Sequence, residues 1–442
     1  MRCIVHPVKE LRGTVVLQGD KSLSHRAALF AGLAEGESRI QNFLLAGVTR
    51  PMLAGLSLVG IEWRLNGDEL VVNGKGLGGW QTAKEAIYCG NSATTLRLFT
   101  GAMAATNTNG ILDGSEGLRR RPMDRIVKPL QEAGVNIQST AGCAPLLMGR
   151  SKMPLKGMRH ELSIASAQVK TCLTLAGLSG DDASTIVEPG PSRDHSERML
   201  SSMGANISSL VEESRQGKRY HTVINPLEKP LAPLDVRLPG DISSAAFFVV
   251  AGLIAPSAHI EIKGVGLNPT RTGLMDVLAK MNANLVRDDL KEQGGEPVGD
   301  LIVKTSELNG TTVEGEDVVR MIDEFPIFGV ASAYAKGETV VRQAEELRYK
   351  ESDRIAMLCQ ELRRLGVEIT ELADGFRVQG GRRIRGGEVD AHGDHRLAMA
   401  LMVAGLGAED AVRVNGAEVV SESLPEFIPL LRELGVEVEC QE

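Results

Sequence analysis

One pattern recurs six times along the 442-residue chain: a polar or charged cluster opens a helix rich in Ala, Gly and Leu. The openings fall near Ser22, Ser92 (TTLRLFTGAMAA), Ser166 (AQVKTCLTLAGL), Ser243 (SAAFFVVAGL), Asp323 (EFPIFGVASAYA) and Asp394 (HRLAMALMVAGL). Their spacing of about 70 to 80 residues is that of a repeated structural unit. Pro326 stands where a first-turn proline is tolerated. A second helix accompanies each first one and stops at Gly60, Gly134, Gly204, Asn282, Gly366 or Gly435, residue types that accept the left-handed position just past a helix end. Each stop is followed by a short run such as Ile61-Glu62-Trp63 or Val436-Glu437-Val438, whose alternation fits a strand with one buried face.

A unit of this size cannot bury two helices by itself, so the units must pack together. The helices that carry the polar clusters are the most uniformly apolar and belong inside, with strands and the more amphipathic second helices outside. Three units per domain give two α/β domains, with a break near Leu238-Pro239-Gly240. Aromatic residues make up only 3% of the chain while Gly numbers 49, so the cores must be built from aliphatic and small side chains. If the inner helices point their N-termini one way within each domain, two facing domains create a cleft lined with helix N-termini, a site for a multiply anionic ligand.

The charged residues at these openings fit such a cleft. Lys21, Arg26, Arg97, Arg121, Arg193, Lys350, Arg354 and Arg396 come from different units, and Arg suits planar contact with carboxylate or phosphate. A lone surface Arg would read as a nearly neutral ion pair; recurrence at equivalent positions reverses that reading. Asp323, Glu351 and Asp394 stand among these cations as acid–base candidates. Asp394 reads as a helix cap, whereas Asp323 fits a cap or a base equally. His25 and His395 are proton carriers or structural hydrogen-bonders.

Other classes are excluded. Net charge −8 with pI about 5.7 and no long basic run argues against nucleic-acid binding. Cys3, Cys89, Cys143, Cys172, Cys359 and Cys440 have no CxxC or zinc-like spacing and are expected as reduced packing residues. The N-terminus lacks a signal-peptide run, and the apolar stretch Ala245 to Ala255 is shorter than the roughly 18 residues that span a bilayer. A soluble, cytoplasmic protein that is not exported is therefore expected. Gly13 to Ser22 misses the phosphate-binding loop of nucleotide kinases by an inserted Asp20, and neither a metal-ligand cluster nor a dinucleotide fingerprint is present.

Ten ordered motifs resemble the 5-enolpyruvylshikimate-3-phosphate synthase family of enolpyruvyl transferases. They are Gly19-Asp20-Lys21-Ser22-Leu23-Ser24-His25-Arg26, Gly90-Asn91-Ser92-Ala93-Thr94-Thr95-Leu96-Arg97, Leu118-Arg119-Arg120-Arg121-Pro122-Met123, Ser166-Ala167-Gln168-Val169-Lys170 and Ser192-Arg193-Asp194-His195-Ser196-Glu197. The set continues with Pro239-Gly240-Asp241-Ile242-Ser243-Ser244, Asn268-Pro269-Thr270-Arg271, Asp323-Glu324-Phe325-Pro326, Glu346 to Arg354, and Asp394-His395-Arg396. The resemblance covers essentially the whole chain. It implies a two-domain inside-out α/β barrel of six βαβαββ-type units, three per domain. One domain would comprise residues 1–18 plus 239–442 and the other 19–238, with the active site between them. It further implies a monomer that needs no metal or organic cofactor.

The same resemblance implies the chemistry: the 5-hydroxyl of shikimate 3-phosphate attacks C2 of phosphoenolpyruvate, C3 is protonated, and loss of phosphate from the tetrahedral adduct leaves the enolpyruvyl ether. Lys21, Asn91, Ser92, Ala93, Thr94, Arg121, Gln168, Arg354 and Arg396 would hold phosphoenolpyruvate. Lys21, Ser22, Arg26, Ser166, Ala167, Gln168, Arg193, Asp323 and Lys350 would hold shikimate 3-phosphate. Asp323 would act as base toward the 5-hydroxyl, with Lys21 and Glu351 moving protons around C3.

Three departures from the family pattern stand out. Gly47-Val48-Thr49 replaces an acidic pair, Glu422-Ser423-Leu424-Pro425 stands where a Lys precedes Phe-Pro, and Ala93 occupies a usual Gly position, where its methyl is expected to weaken inhibition by glyphosate. The alternatives are a UDP-N-acetylglucosamine enolpyruvyl transferase, whose first motif carries Lys-Asn rather than Lys21-Ser22 and which uses a loop Cys, and a non-catalytic relative that binds an anionic metabolite.

Overall fold

The computed structural model describes residues 1–214 and 217–441. They form two compact units, one of Met1–Gln18, Pro239–Glu292 and Pro297–Glu442, the other of Gly19–Leu238 and Gln293–Glu296. The return of Gln293–Glu296 to the second unit departs from the boundaries read in the sequence. It is held there by Arg198 NH1 donating to Gly295 O at 3.1 Å and by His195 Nδ1 at 2.8 Å from Glu296 Oε1. Residues so close to a partner distant in sequence leave no local signal.

Each unit contains three four-stranded sheets and three inner helices, giving α/β architecture with helices inside and sheets outside. In the first unit the inner helices are Ile242–Ile254, Phe325–Tyr334 and His395–Ala404; in the second they are Lys21–Leu33, Ala93–Ala105 and Ala167–Gly177. Of the thirteen residues of Lys21–Leu33, all but Lys21 are buried. Small residues allow this crowding. A Cβ on Gly101 would lie 2.4 Å from Cys172 O, so only glycine lets the second and third inner helices of this unit touch backbone to backbone. Each buried Leu, Val or Phe contributes about 1.5–3 kcal/mol of transfer free energy.

The helix stops behave as read from the sequence: Gly60, Gly134, Gly204, Asn282, Gly366 and Gly435 have φ between +72° and +98°. The strand after each stop is the outermost of its sheet. Four inner helices take side-chain caps, Asp20 from Leu23 N (2.9 Å), Ser92 from Thr95 N (3.1 Å), Asp241 from Ser243 N (2.8 Å) and Asp394 from Arg396 N (2.9 Å). The cap alternative for Asp323 is corrected: Glu324 occupies the cap position, with no side-chain cap bond, and Asp323 lies one residue earlier.

The sheets are completed by distant strands. Arg2–Val5 lies between Val412–Asn415 and Val438–Gln441, pairing antiparallel with both. Asp235–Arg237 adds parallel to Arg39–Gln41. The first of these pairings corrects the reading of the cysteines. Cys3 sits opposite Cys440 in register, their Cα atoms are 4.1 Å apart and their sulfurs are bonded. Cys89, Cys172 and Cys359 are free and buried, as packing residues should be, and Cys143 is free and half-buried. Among the described residues no helix is long and apolar enough to cross a membrane.

Candidate active site

In the Gly19–Leu238 unit the inner-helix starts carry hydroxyls, amides and guanidiniums in one linked set. Arg26 is 2% exposed, and its guanidinium donates to Ser196 Oγ (2.8 Å), Thr171 Oγ1 (3.0 Å) and Ser22 O (3.0 Å). Arg193 NH1 donates to Ser22 Oγ at 3.1 Å. Arg97 NH1 donates to Gln168 Oε1 at 2.7 Å, and Gln168 Nε2 donates to Thr94 Oγ1 at 2.9 Å, so the starts of two inner helices are cross-linked by one amide. Ser115 Oγ donates to Asn91 Oδ1 at 3.2 Å. Lys21, Ser166 and Ala167 are half-buried at these starts, Arg121 is half-buried in the turn between Glu116–Arg119 and Asp124–Glu132, and Ala93 is buried as the first residue of its helix.

His25 takes the structural role. Its Nδ1 lies 2.7 Å from Lys21 O and its Nε2 2.9 Å from Val48 O. Burial pushes its pKa down to about 4, against the pull of the two carbonyls and helped by the charges of Lys21 and Arg26. The ring is thus neutral near pH 7. In the departing Gly47-Val48-Thr49 stretch, the Thr49 hydroxyl donates to Leu44 O at 2.7 Å and accepts from Ala46 N at 3.0 Å; the Val48 contact to His25 is through its backbone carbonyl and does not depend on its side chain.

In the other unit, carboxylates surround two buried guanidiniums. Arg354 Nε lies 2.8 Å from Asp394 Oδ2, its NH2 2.8 Å from Glu351 Oε2, and its NH1 3.5 Å from Asp323 Oδ1. Arg396 NH1 donates to Asp323 O at 3.2 Å, and its NH2 is 3.7 Å from Asp323 Oδ2. Asp323 therefore sits between Arg354 and Arg396. Burial is the largest single influence on the Asp394 carboxyl and would raise it, but the charge and hydrogen bond of Arg354 together with His395 hold Asp394 below the usual carboxylate range. Burial disfavours the Arg354 charge as well, and Asp394 and Glu351 more than compensate, raising its pKa.

Lys350, grouped by the sequence with the site cations, pairs with Glu346 Oε1 at 3.2 Å. Glu422 is half-buried at the end of a 3-10 turn, Ala417–Glu422.

Residues to which the sequence reading gave no individual site role buttress this set. Arg271 NH2 donates to Ser243 Oγ (2.6 Å) and meets Asp241 Oδ1 (3.3 Å), and Ser243 Oγ in turn donates to Glu324. Thr171 and Ser196 hold Arg26. Ser196 lies within a quoted motif and Thr171 directly after one, but nothing local distinguished them from packing positions. Away from the inner-helix starts, the ligand atoms of His6, Glu437 and Glu439 lie within 4.8 Å of one another, a grouping formed by the terminal strands and invisible in a linear reading.

Six helix-opened units in two inside-out α/β domains, with Arg, Lys and carboxylates at the helix starts, define an enolpyruvyl-transferase class of protein. The family model for EPSP synthase (3-phosphoshikimate 1-carboxyvinyltransferase) matches residues 5–431, and the chain belongs to that family. It is 44% identical over 434 residues to 3-phosphoshikimate 1-carboxyvinyltransferase of Geobacter sulfurreducens, covering 98% of each chain. It is 42% identical over 432 residues to the Desulfitobacterium hafniense enzyme of the same name, covering 97% of each. An EPSP synthase structure from Acinetobacter baumannii superposes with TM-score 0.86 at 35% identity, covering 99% of this chain and 100% of that one. The enolpyruvyl transferase NikO of Streptomyces tendae, at 17% identity and TM-score 0.76 over 99% of this chain and 98% of its own, shares the fold.

Proposed function

We infer that this transferase moves the enolpyruvyl group of phosphoenolpyruvate to the 5-hydroxyl of shikimate 3-phosphate and releases phosphate. The observation that carries this reading is the placement of Asp323 between Arg354 and Arg396, with Glu351 on the same guanidinium. Addition to phosphoenolpyruvate builds positive charge at C2 while its carboxylate and phosphate stay anionic. A site for that change needs fixed cations and fixed carboxylates side by side, arranged before the substrate arrives.

On this reading Arg354, Arg396, Arg121 and Lys21 bind the phosphoenolpyruvate anion, with the Asn91–Thr94 backbone and Gln168 beside it. Ser22, Arg26, Ser166, Ala167, Gln168, Arg193, Asp323, Lys350 and Lys21 bind shikimate 3-phosphate. Asp323 accepts the 5-hydroxyl proton as the oxygen attacks C2, and that proton leaves with the departing phosphate; Lys21 and Glu351 deliver a proton to C3 and remove it when phosphate leaves, so no proton is gained or lost at that carbon over the cycle. The residues assigned to the two substrates come from both units. The protein acts as a cytoplasmic monomer without added metal or organic cofactor.

The test is phosphate release by purified wild type, Asp323→Asn and Lys21→Met. The reading predicts that each substitution lowers kcat by at least about 100-fold, the size expected when a general acid or base is removed. Wild-type turnover in Asp323→Asn would remove that residue from the chemistry.

A further inference from the structure

Lys170 is buried in the Gly19–Leu238 unit with its Nζ 2.9 Å from Glu188 Oε2 and 2.8 Å from Glu197 Oε1, and all three side chains are at least nine-tenths buried. Burial alone would lower the Lys170 pKa; the Glu197 and Glu188 charges more than offset this and raise it. Two carboxylates and one ammonium out of water are costly, and apolar residues of the same volume often serve stability equally well. What these groups hold is therefore informative.

Apart from a 3.4 Å bond that Glu197 Oε1 accepts from Thr222 Oγ1, the further bonds of the cluster run to segments that carry shikimate 3-phosphate residues of the proposed site. Glu188 Oε1 accepts from Ser166 N at 2.9 Å, fixing the turn from which Ser166, Ala167 and Gln168 emerge. Glu188 Oε2 accepts from Ser192 Oγ at 2.8 Å, and Lys170 Nζ donates to Ser192 O at 3.4 Å, fixing the residue before Arg193. Glu197 adjoins Ser196, which takes the Arg26 Nε bond and shares a 2.6 Å hydroxyl contact with Thr171, one residue after Lys170. The cluster thus fixes the two stretches that present Ser166 and Arg193 and reaches Arg26 through Ser196 and Thr171.

We propose that Lys170, Glu188 and Glu197 are positioning residues that pre-organise the shikimate 3-phosphate half of the site without touching substrate. The proposal rests on the site assignment given above. Displacing binding groups by a fraction of an ångström weakens the one substrate they hold and leaves the other half of the site intact.

The test is the double variant Lys170→Met/Glu197→Gln, which removes one positive and one negative charge and so leaves the cluster's net charge unchanged. Its steady-state constants are compared with those of wild type and Arg193→Met. The proposal predicts a folded protein whose KM for shikimate 3-phosphate rises at least about tenfold while kcat, and KM for phosphoenolpyruvate at saturating acceptor, stay within about threefold. An unchanged KM for shikimate 3-phosphate in folded double variant overturns it. A fall in kcat alone, as from a partly unfolded sample, overturns it too. If the double variant does not fold, Glu197→Gln alone, which keeps the Lys170–Glu188 pair, is read by the same criteria. Arg193→Met separates the two levels: if it leaves KM for shikimate 3-phosphate unchanged, the site assignment has failed, and if it raises that KM while the cluster variants do not, the positioning role has failed.

Discussion

Arg354 and Asp394 meet through Nε and Oδ2 at 2.8 Å, both buried, so the start of one second helix is tied to the cap of an inner helix. The same Asp394 caps its own helix through Arg396 N. One carboxylate therefore holds the Arg354 guanidinium and the backbone at Arg396, two of the three arginines assigned to phosphoenolpyruvate. Asn caps a helix about as well as Asp, so Asp394→Asn removes the charge and keeps the cap. The expected loss of stability is about 3 kcal/mol, that of a buried ion pair broken on one side. Chemical denaturation measures it, and KM for phosphoenolpyruvate should rise with it; a loss below about 0.5 kcal/mol, the range of ordinary surface substitutions, would mean that Glu351 and Asp323 suffice to compensate Arg354.

His25 makes stability fall on the acid side. Its pKa is about 4 in the folded chain against 6.5 as a free side chain. Between those values the unfolded chain binds a proton that the native chain excludes, so stability drops as pH falls from 6.5 toward 4 and is unaffected by His25 above that window. At pH 5 the contribution lost is about 2 kcal/mol. His25→Asn should flatten this part of the pH–stability curve, measured by urea titration between pH 7 and 5. Equal slopes for variant and wild type would contradict the assignment.

Ala93 is buried as the first residue of its inner helix, beside the capping Ser92 and within the stretch assigned to phosphoenolpyruvate. Removing its methyl should admit a bulkier analogue. Ala93→Gly is expected to lower the inhibition constant of glyphosate at least about tenfold, the scale of one methyl group in a fitted pocket. Inhibition assays against phosphoenolpyruvate decide it, with an unchanged constant as the contrary result.

The Cys3–Cys440 bond joins the strand that opens the chain to the strand that closes it. Cross-linking chain ends so far apart in sequence mainly restricts the unfolded state, by about 2–4 kcal/mol in typical proteins. Cys3→Ser should lower stability by that order in oxidising buffer, have a smaller effect in reducing buffer, where only the cost of burying a hydroxyl at this fully buried position remains, and leave turnover unchanged. Labelling of thiols before and after reduction provides the direct check: two additional thiols should appear on reduction.

What could be read from the sequence and what could not divide along physical lines. The inner helices and their stops were legible because each depends on neighbours within a few residues: Asp20, Ser92 and Asp394 cap locally, and Gly60 or Asn282 ends a helix through its own φ. Family membership was legible because ten such local motifs occur in order. Pairings across the fold were not legible. Cys3 meets Cys440 across 437 positions, and Gln293–Glu296 returns to the other unit through Arg198 and His195.

In the candidate site, Lys21, Arg354 and Arg396 stood out as charges at helix starts. Lys170 did not, since a Lys one turn into an apolar helix reads as solvated until its Glu188 and Glu197 partners arrive from a strand and another helix. Asp323 was misread as a possible cap because the helix begins one residue later than the charge pattern implies.

The most direct measurement of the central claim is phosphate release from phosphoenolpyruvate by the purified protein, offered shikimate 3-phosphate or UDP-N-acetylglucosamine in parallel. The account predicts release with shikimate 3-phosphate alone, matched mole for mole by an enolpyruvyl ether at the 5-oxygen. Release only with the sugar nucleotide, or none with either acceptor from folded protein, would contradict it.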